Sequence, residues 1–432
     1  MLPRFEAFWD RLHTSLWFVP VVMSLGAMVL ALGGLQVRLG FGSDGTRIWW
    51  LHQGNGSDAR SLLTGLMSSM ITMASLVISI TMVVLTLAAG QLGPRLIRSF
   101  MADGRTQAVL GFFIATIVYL LVLLSTLDGK LQEGQVPHLA VTAGVALVLL
   151  CVFTLLFYVH HLARSIVADT VVARVGRDLD RAIRAQMPQG EVPAPAWTAP
   201  HDLAGTCGLE RGGYVQLMDF DALARVAAER DAVLELLCRP GHHLLGGGLH
   251  LRVWPAEAAD AEMTEALRSA AMMGEESTAS EDVEFAARQL VEIALRALSP
   301  GINDPYTAVA VIDRLGEAMA VAMTLPEPRR VWVDETGRPR LYAPVPGFES
   351  LIDVAFNQIR QAATRSPAVL MRLLEKLGQL AEQARNGTQR RSIGRHVGMA
   401  ADAGRAAIAE PHDLEALELR YTAAMALLRE AG

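Results

Sequence analysis

Residues 62–90 form a long apolar segment free of charge, yet Gly65, Ser68, Thr72, Ser75, Ser79 and Thr86 recur along it at steps of three, four, three, four and seven. That spacing predicts one shared helical face. At about 1.5 Å per residue, the stretch from Gly65 to Thr86 rises roughly 32 Å, which matches a hydrocarbon core of about 30 Å. The chain is thereby constrained to carry a polar seam across a bilayer.

Segments 16–36, 108–127 and 139–161 have the length and apolarity of three further spans. Basic residues orient the four, counted where the positive-inside bias operates. One side carries Arg4, Arg11, Arg95, Arg98, Arg105, Arg164, Arg174, Arg177, Arg181 and Arg184; the other carries Arg38, Arg47, Arg60 and Lys130. The excess places both termini in the cytoplasm. Arg4 and Arg11 also fit the start of a secretory signal, but the apolar core that follows is long for one, and an even span count keeps the charge bias consistent. Trp9, Trp17, Trp49, Trp50, Tyr119 and Tyr158 fall at or near the expected span ends, where amphipathic rings prefer to sit.

Apolarity is concentrated before residue 162, and the remainder reads as ordinary globular sequence. The expected fold class is an α-helical membrane protein with four transmembrane helices plus a mainly helical α+β cytoplasmic domain. Its expected parts are a transmembrane domain at 1–162, a juxtamembrane segment and linker at 163–212, a small α+β unit at 213–255 and a mainly helical domain at 256–432. Residues 185–212 are rich in Pro, Ala and Gly. Strands are expected at 213–219, 232–238 and 249–254, with a helix at 221–230. Helices follow at 256–273 and 281–298, the second opened by a capping-box spacing of Thr278 and Glu281. A hairpin at 330–343 precedes helices at 348–364, 367–384, 388–408 and 412–430.

A net charge of −6 supplies no basic field for nucleic acid. Cys151, Cys207 and Cys238 lack the paired spacing of a zinc site or a disulfide framework and read as buried thiols. Histidines at 160–161 fall at a membrane boundary, where interfacial packing is the simpler role. His242, His243 and His250 lie near Cys238 in no recognised zinc pattern, so neither metal nor cofactor is expected. The stretch RPGHHLLGGGLHLRVWP looks like the hairpin of barrel-sandwich domains related to biotinyl and lipoyl carriers, but no lysine lies between Arg239 and Pro255 to carry a cofactor. There is no G-x-S-x-G, Walker loop, H-E-x-x-H or dinucleotide fingerprint, which argues against an enzyme.

Pro300, Gly301 and Pro305 forbid a continuous helix through LSPGINDPYTA at 298–308. Ser299, Pro300, Gly301, Asn303, Asp304 and Pro305 are read as a structural loop, with Asp304 at the N-cap and Pro305 at the first helical position. Together with QLGPRL at 91–96, TQAVLGFF at 106–113 and the later FNQIRQ, this segment resembles an uncharacterised bacterial family of predicted membrane proteins with a domain of unknown function. Tyr306 and Leu92 stand where that family usually has Phe. The resemblance spans nearly the whole chain and implies an architecture without a mechanism.

Two functions fit. In the first, subunits form a homo-oligomer whose pore-lining candidates are Ser68, Thr72, Ser75, Ser79 and Thr86, because hydroxyls hydrate ions without buried charge; the tail is then a vestibule or gate. In the second, the stripe is a packing seam in a non-conducting scaffold or sensor. The spans carry no Asp, Glu, Lys or Arg at mid-membrane, which argues against a proton-coupled transporter. Four spans also offer too few helices to enclose a route within one subunit, which favours the pore in an oligomer. The expected partners are the lipid bilayer, further copies of the chain and ions.

Overall fold

The computed structural model describes residues 15–36, 52, 54–92, 101, 103–129, 131, 136–165, 167–186, 197–277 and 282–430. It divides after Val167 into two compact units. Arg4, Arg11, Arg38, Arg47, Arg95, Arg98 and Lys130 of the topology argument, Trp9, Trp49 and Trp50 of the aromatic belt, and the whole Thr278–Glu281 capping box lie outside the described residues.

Among the described residues the first unit has four helices, α1 (Phe18–Gln36), α2 (Gly56–Leu92), α3 (Gly104–Thr126) and α4 (His138–Ser165), each long and apolar enough to cross a membrane. Alpha-helix is the form that leaves no backbone donor facing lipid. Side chains cap the ends that meet polar surroundings: the Asn55 carboxamide accepts from the Asp58 N–H at 3.0 Å at the start of α2, and the Asp103 carboxylate accepts from the Thr106 N–H at the start of α3. Helix α1 lies along α3. Gly111 permits that approach, since a Cβ there would stand 2.7 Å from the Met23 sulfur and 3.2 Å from the Pro20 Cα. Phe113, Tyr119, Leu120, Leu123 and Tyr158 are fully buried at the centre. Tyr119 and Tyr158 are therefore core residues and not interfacial anchors; the Tyr119 hydroxyl donates to the Ala140 carbonyl at 2.9 Å. A hydroxyl inside the bundle finds its partner on a neighbouring helix, which the aromatic-belt rule does not anticipate.

The second unit opens with α5 (Ala168–Gln186), whose Val171, Val172, Val175, Leu179 and Ile183 form a buried stripe. It packs on α8 (Val283–Ala297) and α9 (Pro305–Thr324), and the Arg314 guanidinium of α9 pairs with Asp180 while lying against Gly176. This helix occupies the first part of the expected 163–212 linker.

Two sheets follow. One has the order β1 (Gly205–Cys207), β5 (Leu251–Trp254), β3 (Val233–Leu236), β8 (Pro339–Tyr342), β7 (Val331–Val333); the other is β4 (His243–Leu244), β2 (Gly213–Met218), β6 (Ala271–Gly274). Among the described residues only the β3–β8 pairing is parallel, Leu234 standing opposite Leu341. Helices α6 (Phe220–Glu229) and α7 (Ala261–Ala270) cover a core built on Leu223, Leu234, Leu236, Val253, Met263 and Leu267. The small unit expected at 213–255 is thus completed from both sides, by β1 and by the β7–β8 hairpin. The helix expected over 256–273 spans only 261–270. Asp260 caps its start by accepting from the Met263 N–H at 2.9 Å, and 271–274 instead pair as a strand with β2. Edge pairing overrides the helical preference of Ala271, Met272 and Met273.

The helical layer is completed by α10 (Phe348–Ala362), α11 (Pro367–Glu382), α12 (Gly387–Ala407) and α13 (Pro411–Glu430). Asp282, not Thr278, is the N-cap of α8, accepting from the Phe285 N–H at 3.1 Å.

Candidate functional site

Helix α2 has two unlike faces. Ala59, Leu63, Met70, Ala74, Val77, Thr81 and Ala88 are buried against the other helices of the unit. Gly65, Ser68, Thr72, Ser75, Ser79 and Thr86 are all exposed, pointing away from that bundle. Among the described residues, the polar stripe is therefore not packed between helices of this unit. Its donors are partly spent at home: Thr72 Oγ1 donates to the Ser68 carbonyl at 3.1 Å and Thr86 Oγ1 to the Met82 carbonyl at 2.9 Å. Around Gly65 nothing lies within 4 Å of where a Cβ would be, so the surface is open there. Exposed Ile71, Leu76, Ile78, Met82 and Val83 flank the stripe with lipid-compatible surface.

Polar chemistry inside the unit sits elsewhere. The hydroxyls of Thr81 and Tyr158 meet at 2.5 Å, joining α2 to α4. At one end of the bundle His161 Nε2 stands 2.9 Å from Asp103 Oδ2 while its ring stacks on Phe157 at 6.3 Å between centroids. His161 is thus held by a cap carboxylate as well as by the stacked Phe157 ring. Neither pair was legible in the sequence, because each joins residues dozens of positions apart.

In the second unit, the 298–305 turn accounts for its own polar groups. Ser299 Oγ donates to the Arg296 carbonyl at 2.6 Å, and the Ser299 carbonyl accepts from the N–H groups of Ile302 at 3.1 Å and Asn303 at 2.9 Å. Asn303 takes the left-handed φ of 52° that closes the turn, a conformation Asn tolerates better than most residues. Asp304 Oδ1 accepts from the Tyr306 and Thr307 N–H groups, each at 3.1 Å, and Oδ2 accepts from the Thr307 hydroxyl at 2.5 Å. Those bonds, the Thr307 hydroxyl foremost, hold the Asp304 carboxyl below its ordinary range. Pro300 and Gly301 shape the turn and Pro305 begins α9. This is the geometry of a helix cap. Ile302 and Tyr306 remain exposed beside it.

The Cys238 and histidine group does not converge. Burial pushes the Cys238 thiol up to about 12, which leaves it protonated and inert. His250 Nδ1 accepts from the Leu209 N–H at 3.0 Å, and the His243 ring meets Tyr214 edge-on at 4.9 Å. Burial, then the nearby Arg239, lowers the His242 value. Among the described residues, no three His, Cys, Asp or Glu side chains could hold a metal ion together. Beside that loop, Glu284 accepts from Arg239 Nη2 at 2.9 Å through both oxygens, from Arg288 at 3.2 Å and from the Ser350 hydroxyl. Asp282, raised by burial, pairs with Arg288. This balanced cluster ties the 239–243 loop to α8 and α10.

The chain is similar to known sequences along most of its length. A family model described as "Predicted membrane protein (DUF2254)" matches residues 13–379, in agreement with the resemblance drawn from sequence. An uncharacterized protein of Mycobacterium tuberculosis and one of Mycobacterium bovis are each 30% identical over 429 residues, covering 96% of this chain and 80% of the relative. No solved structure matches.

Proposed function

We propose a function from one premise: the chain belongs to the DUF2254 family of predicted membrane proteins. On this reading it is a homo-oligomeric, non-enzymatic protein of the bacterial inner membrane, with both termini cytoplasmic, in which the Ser68, Thr72, Ser75, Ser79 and Thr86 face of α2 lines an ion pathway between copies. The observation that carries the reading is the outward direction of that face, while the Ala-rich side of the same helix packs within the unit. Hydroxyl oxygens turned to lipid gain nothing. Turned toward a symmetry axis, they hydrate permeating ions without a buried charge.

A second reading is a packing seam between copies in a scaffold or sensor, favoured by the open space at Gly65 and by the Thr72 and Thr86 donors already returned to their own backbone. Purified protein in liposomes separates the two. If the face lines a pore, Ser75→Leu blocks flux while the oligomer persists, and Ser75→Cys reacts with a water-soluble thiol reagent. If it is a seam, Ser75→Leu disperses the oligomer and the cysteine stays silent. Silent cysteines at 72, 75 and 79, with no flux under voltage, pH or tension, remove the channel reading.

A further inference from the structure

Helices α1 and α2 both pack on α3 but scarcely touch each other, so the bundle leaves a notch between them with α3 as its floor. The notch is a groove of about 450 Å³, within the size range of small-ligand sites. Trp17, Leu25 and Met28 stand along one wall, on a single face of α1 and the turn that enters it. Ile114 and Val118, four residues apart, run along the floor, and Ile78 of α2 lines the other side. The one hydroxyl in the wall is spent: Ser24 Oγ donates to the Pro20 carbonyl at 2.7 Å. At the end of the groove Trp17 is more than half exposed, and its indole N–H is free among the described residues.

We propose that this groove holds one acyl chain of a membrane glycerophospholipid, seated lengthwise between α1 and α2 with its headgroup beside Trp17. Length supports the assignment. At about 1.5 Å per residue, the run from Trp17 to Met28 rises roughly 16 Å, which is close to one leaflet of a hydrocarbon core about 30 Å thick. The groove thus starts where a tryptophan sits at headgroup level, its N–H within reach of ester or phosphate oxygens, and ends where the chains of one leaflet end. Chemistry supports it too. With no unspent polar side chain along its walls, the groove costs a methylene chain nothing, and left empty it would forfeit the dispersion contacts of every wall residue. A helix of a second copy suits the place poorly. Membrane helices approach one another through Gly, Ala, Ser and Thr, whereas this rim is built from Trp, Leu, Met and Ile. A rigid cylinder of about 10–12 Å also cannot follow a slot that a flexible chain can. The site does not depend on the α2 stripe lining an ion pathway, although Ile78 directly precedes Ser79.

The test is photolabelling of the full-length protein in phosphatidylcholine vesicles that contain a small share of the same lipid with a mid-chain diazirine, the adducts being mapped by peptide mass spectrometry. Phe153, near the middle of α4 and 68% exposed, serves as the reference for lipid that only surrounds the protein. The expected result is label concentrated on Leu25, Ile114 and Val118 over Phe153, although the last two are only partly exposed. Ile114→Trp, which fills the groove, abolishes that label and leaves the label on Phe153 unchanged. Should Ile114→Trp fail to fold, Val118→Phe takes its place, and the ratio in the unmodified protein decides by itself. Labelling that simply follows exposure, or groove labelling indifferent to the filling substitution, overturns the proposal. So does a disulfide-linked dimer of Leu25→Cys under mild oxidation, which would seat a neighbouring copy in the groove.

Discussion

Tyr158 donates its hydroxyl hydrogen to Thr81, and the direction follows from the bonds around it. Thr81 has one hydrogen and gives it to the Val77 carbonyl at 2.6 Å, so in the 2.5 Å contact between the two hydroxyls Thr81 is the acceptor. Both side chains are buried. The bond fixes the rotation of α2 against α4. With Thr81 turned inward, the stripe from Gly65 to Thr86 is turned outward.

Removing that bond should loosen the bundle without changing its composition of spans. Tyr158→Phe and Thr81→Val are each expected to cost about 0.6–2 kcal/mol, the range for hydrogen bonds between membrane helices. A double-mutant cycle on thermal unfolding in detergent measures the coupling. Strict additivity of the two substitutions would show that the hydroxyls do not interact.

Asp304 should behave as a cap. Asp304→Ala is expected to destabilise the second unit by about 0.5–2 kcal/mol, with Asp304→Asn and Asp304→Ser milder because both keep an acceptor. Denaturant unfolding of the full chain, followed by tryptophan fluorescence, reads the difference. An unchanged midpoint for Asp304→Ala, accompanied by loss of a bound ion or of activity, would move this residue from architecture to chemistry.

His396 should make stability depend on pH. Its ring is buried, and burial holds its value below the ordinary 6.5 although Asp353 Oδ1 stands 2.7 Å from Nε2 and pulls the other way. The unfolded chain therefore takes up the proton first. The contribution is present in full above the unfolded value of about 6.5 and declines as pH falls from there toward the folded value. The unmodified protein should lose stability more steeply through that window than His396→Gln. Equal slopes for the two proteins would rule out a titrating His396.

Periodicity made the helices readable. The apolar lengths of the four spans, the β7–β8 hairpin and the caps at Asp304 and Pro305 are local patterns, and local patterns survive in a single sequence. Partnership did not. The five-stranded sheet takes residues 205–207 and 331–342 into one layer, and 271–274 became a strand only because β2 offers an edge. The same holds within the membrane unit. Six small or hydroxylated residues announced a common face, but whether it looked inward depended on Thr81, two positions off the stripe, and on Tyr158 in another span.

A face that looks away from its own bundle also changes what one defective copy can do. If the α2 stripe meets its counterpart only on a neighbouring copy, each assembly reads the sequence of every member at once, and a chain that inserts normally but carries a bulky residue at Ser75 enters mixed assemblies and spoils them. Such a lesion would be dominant. A lesion in the core, at Phe113 or Leu120, would remove the chain before it reached a partner and so be recessive, and the two sides of one helix would be distinguishable by genetics alone.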